Sequence, residues 1–570
     1  MNTTSSPTEE KKPRIYRIFD QETQARAVND SSWHTQREVA EKYGVPRSTA
    51  QHWIGRKKEL LEKMDPRWVE FFESPAGQIW LRRLIVAVFV IFHQNGNSGI
   101  PDLHEFFEMI FIDKFVGTSK TALYKISKAL DKQAIIFGDE EKARLAQNML
   151  HKTIPGALDE NFIMDEMTLI LMDPASGMIL AEQIEQKRDA ETWHKVTQSA
   201  LKGLNVTIHQ MVGDEASGLT KLATCTLQIL KGPDLFHVQQ EITRGLTGHL
   251  ARAVQQVRQK QEDLQKEKSE TLAKFSGHLK QAGEVQELPK RGVNAGKRVI
   301  EIENEEKANQ KKTEELEGRY KTAQEARRSI TQAYHPFSLD TGEKQTPEAV
   351  KEKIEKCHTT LESVAKEAGC TDKQMKKLEK SRRSLESMIA VLTFFFAFLA
   401  VRIKSMELDE PSAKVFEALV SIQYLRLCLQ RTKKKRDKEK IRATLGRLEV
   451  ELGKNPLWSE IAEAVRTEWW RQALECAQVF QRSSSCVEGR NGQLSLKFHA
   501  FRRLNGQTLK VLTVLHNFFI KRKDGTTSAE RFFGQKPRDY FEWILGKVEL
   551  ARPRSKHKRR AKKTSEKEVA

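Results

Sequence analysis

A multidomain chain that joins all-helical parts to one α/β part is the architecture the sequence predicts, and three observations predict it. At 570 residues, 38% of them hydrophobic, the chain exceeds one ordinary core and has the apolar content for several. From Asn161 to Ile184 two apolar runs flank Asp173-Pro174-Ala175-Ser176-Gly177, which is turn chemistry between strands. A helical pattern from Ala190 to about Leu201 and an apolar-rich strand from Val206 to Asp214 follow. Strand, hairpin, helix, strand is an α/β signature. The rest, above all Glu241 to Trp469, is helix-forming and charged, with an apolar stripe at Val254, Val257, Leu264, Leu272, Phe275 and Leu279.

At the N-terminal end, Trp33 to Lys58 carries Val39, Ala40, Tyr43, Val45, Ala50, Trp53 and Ile54 at helical spacing, with Gly44 where two short helices must turn sharply. The pattern resembles a helix-turn-helix whose second helix, about Arg47 to Arg56 with Pro46 at its start, would lie in the major groove. Arg47, Ser48, Gln51 and His52 project from the face opposite the core and, with Arg56, are the DNA-contact candidates; a plain helical hairpin with a solvated basic face is the alternative. A further helical segment runs from Pro66 to about Leu130, where Thr118 or Ser119 can cap a helix carrying Leu123, Ile126 and Leu130. Gly and Pro interrupt the long helical region near Pro289 to Gly296 and at His335 to Gly342, so it is read as several helices.

These signals divide the chain into 1–62, 63–150, 151–240, 241–474, 475–550 and a basic tail, 551–570, whose run Arg552 to Lys563 has no apolar partner surface and should be disordered. Lys and Arg number 97 against 77 Asp and Glu, and a net charge of +20 favours polyanionic partners, nucleic acid first, through counterion release. The run Arg431 to Lys440 is either a solvated helix face or a track for a DNA backbone. Six scattered cysteines without a CxxC pair, and a polar N-terminal stretch without a secretory signal, predict a reduced cytoplasmic chain without structural zinc. The apolar runs Leu84 to Phe92 and Met388 to Val401 are shorter than the roughly 20 residues that span a bilayer and are read as core helices, with no membrane partner.

Three acids stand where a fold could gather them: Asp165 in the first strand, Asp214 ending the later strand, and Glu488 in SSSCVEGRNGQL. Carboxylates are the hard oxygen ligands that Mg²⁺ prefers, and two ions about 4 Å apart can activate an attacking oxygen and stabilise a leaving one. Spacing alone does not select these three from 77 acids. Asp173 rivals Asp165 but is explained by its turn; Glu166 and Glu215 point to the opposite side of an extended backbone from their neighbours. His237 is either a core histidine or a group at the acid site, and Trp193 reads as core.

The segments MDEMTLILMDPASGMILAEQIEQKRDAETW, VGDEASGL with PDLFH twenty residues on, and VEGRNGQL resemble the catalytic core of bacterial insertion-sequence DDE transposases, over roughly Ile154 to Gln240 and Arg482 to Leu545. The resemblance implies an RNase H-like α/β core split by a long all-helical insertion. In that family the first acid lies on the opening strand, the second ends a neighbouring strand, and the third, usually Glu, sits on a following helix. Asp165, Asp214 and Glu488 would be catalytic and would hold two Mg²⁺ or Mn²⁺ ions for cleavage at transposon ends and strand transfer into target DNA. Arg490, Asn491, Lys497, Arg502 and Arg503 would lie near the flanking phosphates. The resemblance also implies a bacterial, nucleoid-associated protein acting on double-stranded DNA as a homodimer or higher oligomer, since two ends must meet. A catalytically inactive, transposase-derived sequence-specific DNA-binding protein is the alternative; a helical scaffold leaves the hairpin and the helix-turn-helix pattern unexplained.

Overall fold

Helix accounts for 73% of the structure, and the strands form one small mixed sheet, so the α and α/β character holds at that level. The computed structural model describes residues 21–163, 166–214, 216–281, 290–501 and 504–550; the tail from Arg552 to Lys563 lies outside them. Two compact units result, one made of residues 1–148 and 494–570, the other of residues 149–493. The sequence reading separated 241–474 from the sheet and kept 494–550 with it; the structure instead puts 241–474 in the sheet's unit and 494–550 in the N-terminal one.

In the first unit, the helices Gln21–Asp30, Gln36–Lys42 and Arg47–Lys63 bury Ala27, Val28, Val39, Ala40, Val45, Ala50 and Trp53 against each other. Thr35 and Glu38 form a capping box at the second helix. Gly44 takes φ +60 in the turn, a conformation that favours glycine, and Val45 N donates to Ala40 O at 2.9 Å to close the helix end. Farther on, Ser119 rather than Thr118 caps the helix Lys120–Gln147, which buries Leu123, Ile126, Leu130 and Phe137. That helix packs closely on Gly506–Val514: a Cβ on Gly138 would lie 2.4 Å from Val514 Cγ2. The apolar run Leu84 to Phe92 falls in the helical stretch Pro75–Asn95, whose Leu81, Ile85, Val86, Phe89 and Val90 are buried.

The second unit is built on five strands, β1 (Lys152–Ile163), β2 (Glu166–Met172), β3 (Ile179–Glu185), β4 (Val206–Gly213) and β5 (Leu230–Pro233), in the order β3-β2-β1-β4-β5. β1, β2 and β3 run antiparallel in turn, whereas β4 and β5 run parallel to β1 and to each other. The Asp173 turn therefore joins β2 to β3, and the opening strand lies upstream of it. Pro155 is tolerated in β1 because the register against β4 shifts between Ile154 and Pro155.

The chain from Glu241 on is helical, but it is not an appendage. The helix Asp372–Ser405 contains the Met388 to Val401 run and is apolar on more than one side. Leu385, Met388, Leu392, Phe395 and Leu399 enter the helical core, which includes Leu235, Val238 and Ile242 from beside the sheet. From the same helix Phe394 stacks on His209 of β4 with ring centroids 5.3 Å apart, and Val391 stands 3.3 Å from where a Cβ on Gly232 of β5 would be. Beyond the sheet, Gly248–Gln281 and Lys290–Ala333 pack side by side. They are two helices rather than one rod, as the glycine and proline signals near Pro289 to Gly296 predict, although Gly292 and Gly296 themselves lie inside the second; Gly296 gives room to Phe275, whose ring would lie 3.1 Å from an added Cβ.

Within the first unit, the fully buried Glu141 carboxylate accepts from Arg144 Nη2 at 2.5 Å, Arg538 Nε at 2.5 Å and Arg538 N at 2.7 Å. Burial pushes its pKa up, but the bonds from Arg144 and Arg538 outweigh that and hold it below the ordinary glutamate value. Its stabilisation is therefore present above the ordinary glutamate range and lost as pH falls through the depressed value. Glu141→Gln is expected to cost about 1.5–3 kcal/mol in urea unfolding at neutral pH, the scale of charge-assisted hydrogen bonds, and to cost progressively less in acid. An unchanged midpoint at pH 7 would show that the two arginines do not need the charge.

Candidate functional site

β1 outruns β4, and the point where β4 stops is where the acids collect. Continuing the parallel register Ala157↔Val212 by two residues sets Asp159 beside Asp214. Gly213 permits this closeness, since a Cβ there would be 2.7 Å from Leu158 O. Lys231 Nζ fixes the strand end by donating to Gly213 O at 2.9 Å and Asp214 O at 2.6 Å, and Ala216 N donates to Asp214 Oδ1 at 3.0 Å.

Glu488 arrives on the first turn of the helix Ser485–Phe501, whose positive dipole end suits a carboxylate. The segment before that helix is stitched to the end of β5: Leu235 N donates to Arg482 O at 2.9 Å, and Ser484 Oγ makes a short bond to the buried Asp234 carboxylate, which also caps the helix Leu235–Ile242. Two residues beyond Glu488, Arg490 makes a buried bidentate pair with Glu182 of β3, at 2.6 and 2.7 Å. Asn491 Nδ2 donates to Asp159 Oδ2 at 2.7 Å, while Asn491 Oδ1 is buried without a hydrogen-bond partner. His237 Nε2 is 3.6 Å from Glu488 Oε1.

Asp159 is 9% exposed, and its pKa is pushed up to about 7, first by burial, then by the negative charges of Glu488 and Asp214. Its neighbour Glu160 points to the other face of β1, where Arg188 pairs with it at 2.9 Å and the fully buried Trp193 donates from Nε1 at 3.4 Å. A cavity of about 550 Å³ opens against Asp214, with Glu160, Asp234 and His237 in its wall together with the cations Arg188, Arg244 and Lys380. Among the described residues, no three His, Cys, Asp or Glu side chains converge into a ready-made metal cage.

Of the acids named from sequence, Asp214 and Glu488 are brought together here, and Asp165 lies outside the described residues, as do Glu215, Arg502 and Arg503. Asp159 was missed: Pro155 and Gly156 disguise its strand, and the more regular hairpin downstream was taken for the opening of the sheet. Asp173 is a turn residue, accepting from Ala175 N, Ser176 N and Ser176 Oγ at the sheet end opposite the acids. Glu166 opens β2 on the surface.

Arg47, Ser48, Gln51 and His52 are exposed along one side of Arg47–Lys63. The other DNA-contact candidates among the described residues are otherwise engaged. Arg56 is largely buried, 3.5 Å from Glu73 and bonded to Lys114 O, because its position turns it toward the neighbouring helices. Arg490 is consumed by Glu182, Asn491 belongs to the acid cluster, and Lys497 Nζ donates to His93 O at 3.0 Å and to Gly96 O.

The model of a family of unknown function (DUF6399) matches residues 415–560, about a quarter of the chain, a span that includes the Glu488 helix. Comparison with curated proteins returned no match.

Two outcomes follow from this geometry. A raised carboxyl pKa gives stability that is complete below the ordinary aspartate value and is lost as pH rises through about 7. The metal-free protein should thus melt at lower temperature at about pH 8 than at about pH 5, and Asp159→Asn should flatten that slope; an unaltered slope would remove Asp159 as its source. Arg490→Met, which takes the bidentate guanidinium away from the buried Glu182 carboxylate, is expected to cost about 3–5 kcal/mol in denaturant unfolding, and the double substitution with Glu182→Met should recover part of it.

Proposed function

We propose that the chain is a DDE-type DNA transposase, a metal-dependent enzyme that cleaves transposon ends and joins them to target DNA, with Asp159, Asp214 and Glu488 as its three acids. The observation that carries the reading is the placement of Asp159, within β1, beside Asp214 at the end of the adjacent parallel β4, with Glu488 on a returning helix after more than two hundred intervening residues of mostly helical chain. That is the order and placement of acids expected of an RNase H-like core. Asp159 replaces Asp165 in this proposal: Ile163, the last described residue before Asp165, is already four residues past Asp159, about 13 Å along an extended strand.

The donors fit the ions that such chemistry uses. Three carboxylates and the unsatisfied Asn491 Oδ1 are hard oxygens, and the burial and carboxylate repulsion that raise the Asp159 pKa are both offset by a divalent cation. When bound, Mg²⁺ or Mn²⁺ supplies the Lewis acidity that activates an attacking oxygen and stabilises a leaving one. The chain's own part is to hold that charge in place: Asp159 and Asp214 from the sheet, Glu488 from a helix pinned by Asp234 and Glu182. Arg188, Arg244 and Lys380 present positive charge to phosphates in the adjoining cavity. We read the Arg47–Lys63 helix as the second element of a helix-turn-helix, with Arg47, Ser48, Gln51 and His52 facing DNA.

The test is cleavage and strand transfer with labelled duplexes carrying the DNA that flanks the chain's own gene, in Mg²⁺ or Mn²⁺. Asp159→Asn, Asp214→Asn and Glu488→Gln should each bind DNA but lose at least about 10²-fold in rate, while Asp165→Asn stays active. Loss with Asp165→Asn and retention with Asp159→Asn would return the first position to Asp165. A wild type that binds its ends but never cuts them would favour a transposase-derived DNA-binding protein.

A further inference from the structure

A second cavity, of about 1020 Å³, lies among the helices of the second unit, and its wall holds nine lysines and arginines against three acids. Two of those acids are committed, Asp437 to Arg328 at 2.6 Å and Asp340 to Lys440 at 3.8 Å. Among the described residues, no carboxylate pairs with Arg327, Lys353, Lys356, Arg431, Lys434 or Arg482. Arg327 and Arg431 bond to neutral side-chain oxygens of Thr243 and Gln481. Surface cations normally spread out; here they face one another across a concavity, at an electrostatic cost that an anionic occupant would offset.

The floor is built rather than accidental. Arg482 Nη1 donates to Thr331 O at 2.9 Å, Tyr334 O at 3.1 Å and His335 Nε2 at 2.8 Å. Because His335 Nε2 accepts from arginine, its Nδ1 carries the proton and donates to Tyr424 OH at 2.7 Å. Every one of these partners is neutral, so the guanidinium is fixed in place with its charge unmatched, in a half-buried position where that charge acts at long range. A duplex edge needs an open stripe, whereas this is a cup of the size that holds a small molecule. We propose that this cup binds a small polyphosphorylated ligand, of the triphosphate or polyphosphate class, with Arg482 and Arg327 at its floor and Lys353, Lys356, Arg431 and Lys434 at its rim.

Arg482 is also two residues from Ser484, so the floor of the cup and the clamp that sets Glu488 share one short segment. Occupancy should therefore be felt at the first turn of the Ser485–Phe501 helix. The proposal does not depend on the transposase reading.

Sodium tripolyphosphate, titrated calorimetrically into the full chain, should bind saturably at one site. Lys356→Glu with Lys434→Glu, both exposed and without an acidic partner, should weaken it by about tenfold or more, as should Arg482→Gln, whereas Arg47→Ala with Gln51→Ala should not. Amide exchange over residues 482–488 should slow on binding. Absence of saturable binding, binding indifferent to the rim variants, or exchange unaltered at 482–488 would each overturn the proposal. Competition by non-specific duplex with no binding of tripolyphosphate would overturn it in favour of a DNA-backbone surface.

Discussion

The second unit depends on one return. Between the end of β5 and the helix that carries Glu488 the chain leaves for roughly two hundred and fifty residues, and something must bring it back to the same strand ends. Loop-closure entropy grows only slowly with length, so a long excursion costs little more than a short one, provided that the closing contacts are strong. Here they are the Asp234–Ser484 bond, the Leu235–Arg482 backbone bond and the buried Arg490–Glu182 pair, which hold the returning segment at β5 on one side and β3 on the other. The excursion itself is restrained because the Asp372–Ser405 helix lies on the sheet. A helix apolar on more than one side must bury more than one side, which is why the intervening helices share a core with the strands instead of forming a separate domain.

The same return explains a charge arrangement that folding alone would not favour. At one corner of the sheet Asp159 is buried within electrostatic reach of the Glu488 and Asp214 carboxylates, without a cation directly against it. Acids that serve structure look different elsewhere in this protein: Glu141 lies between two arginines, Glu182 faces one, and Glu160 has Arg188. Clusters of like charge held together by unrelated contacts are characteristic of sites that bind the opposite charge. On the proposed reading that charge is a divalent metal; in the helical cup, where the sign is reversed, it is phosphate.

How much of this was legible in the sequence depended on how local each signal was. The Gly44 turn with Val39, Ala40, Val45, Ala50 and Trp53 could be read directly, because capping, left-handed glycine and helical spacing are short-range. So could the Asp173 turn and the strand ending at Asp214. Asp159 could not: Pro155 and Gly156 break the β pattern of its strand, and only the register slip against β4, a pairing made some fifty residues downstream, shows why they are tolerated. The grouping of the chain was illegible for a related reason. Met388 to Val401 reads as a core helix and is one, but its sequence does not say that the core it joins is shared with strands far upstream.

Basic residues were the least legible, because sequence records a charge but not its partner. Arg56, Arg490 and Lys497 are spent on Glu73, Glu182 and two backbone carbonyls. Arg482 and Arg327 had no motif to single them out, yet among the described residues no carboxylate pairs with either. A net charge of +20 therefore says less about where anions bind than does the placement of the cations that have no acid beside them. Several such cations face one another across the cup, and residues 482 to 488 link the cup to the carboxylate corner. Positioning of Glu488 and binding at the cup thus draw on one segment, and any ligand that orders that segment acts on both.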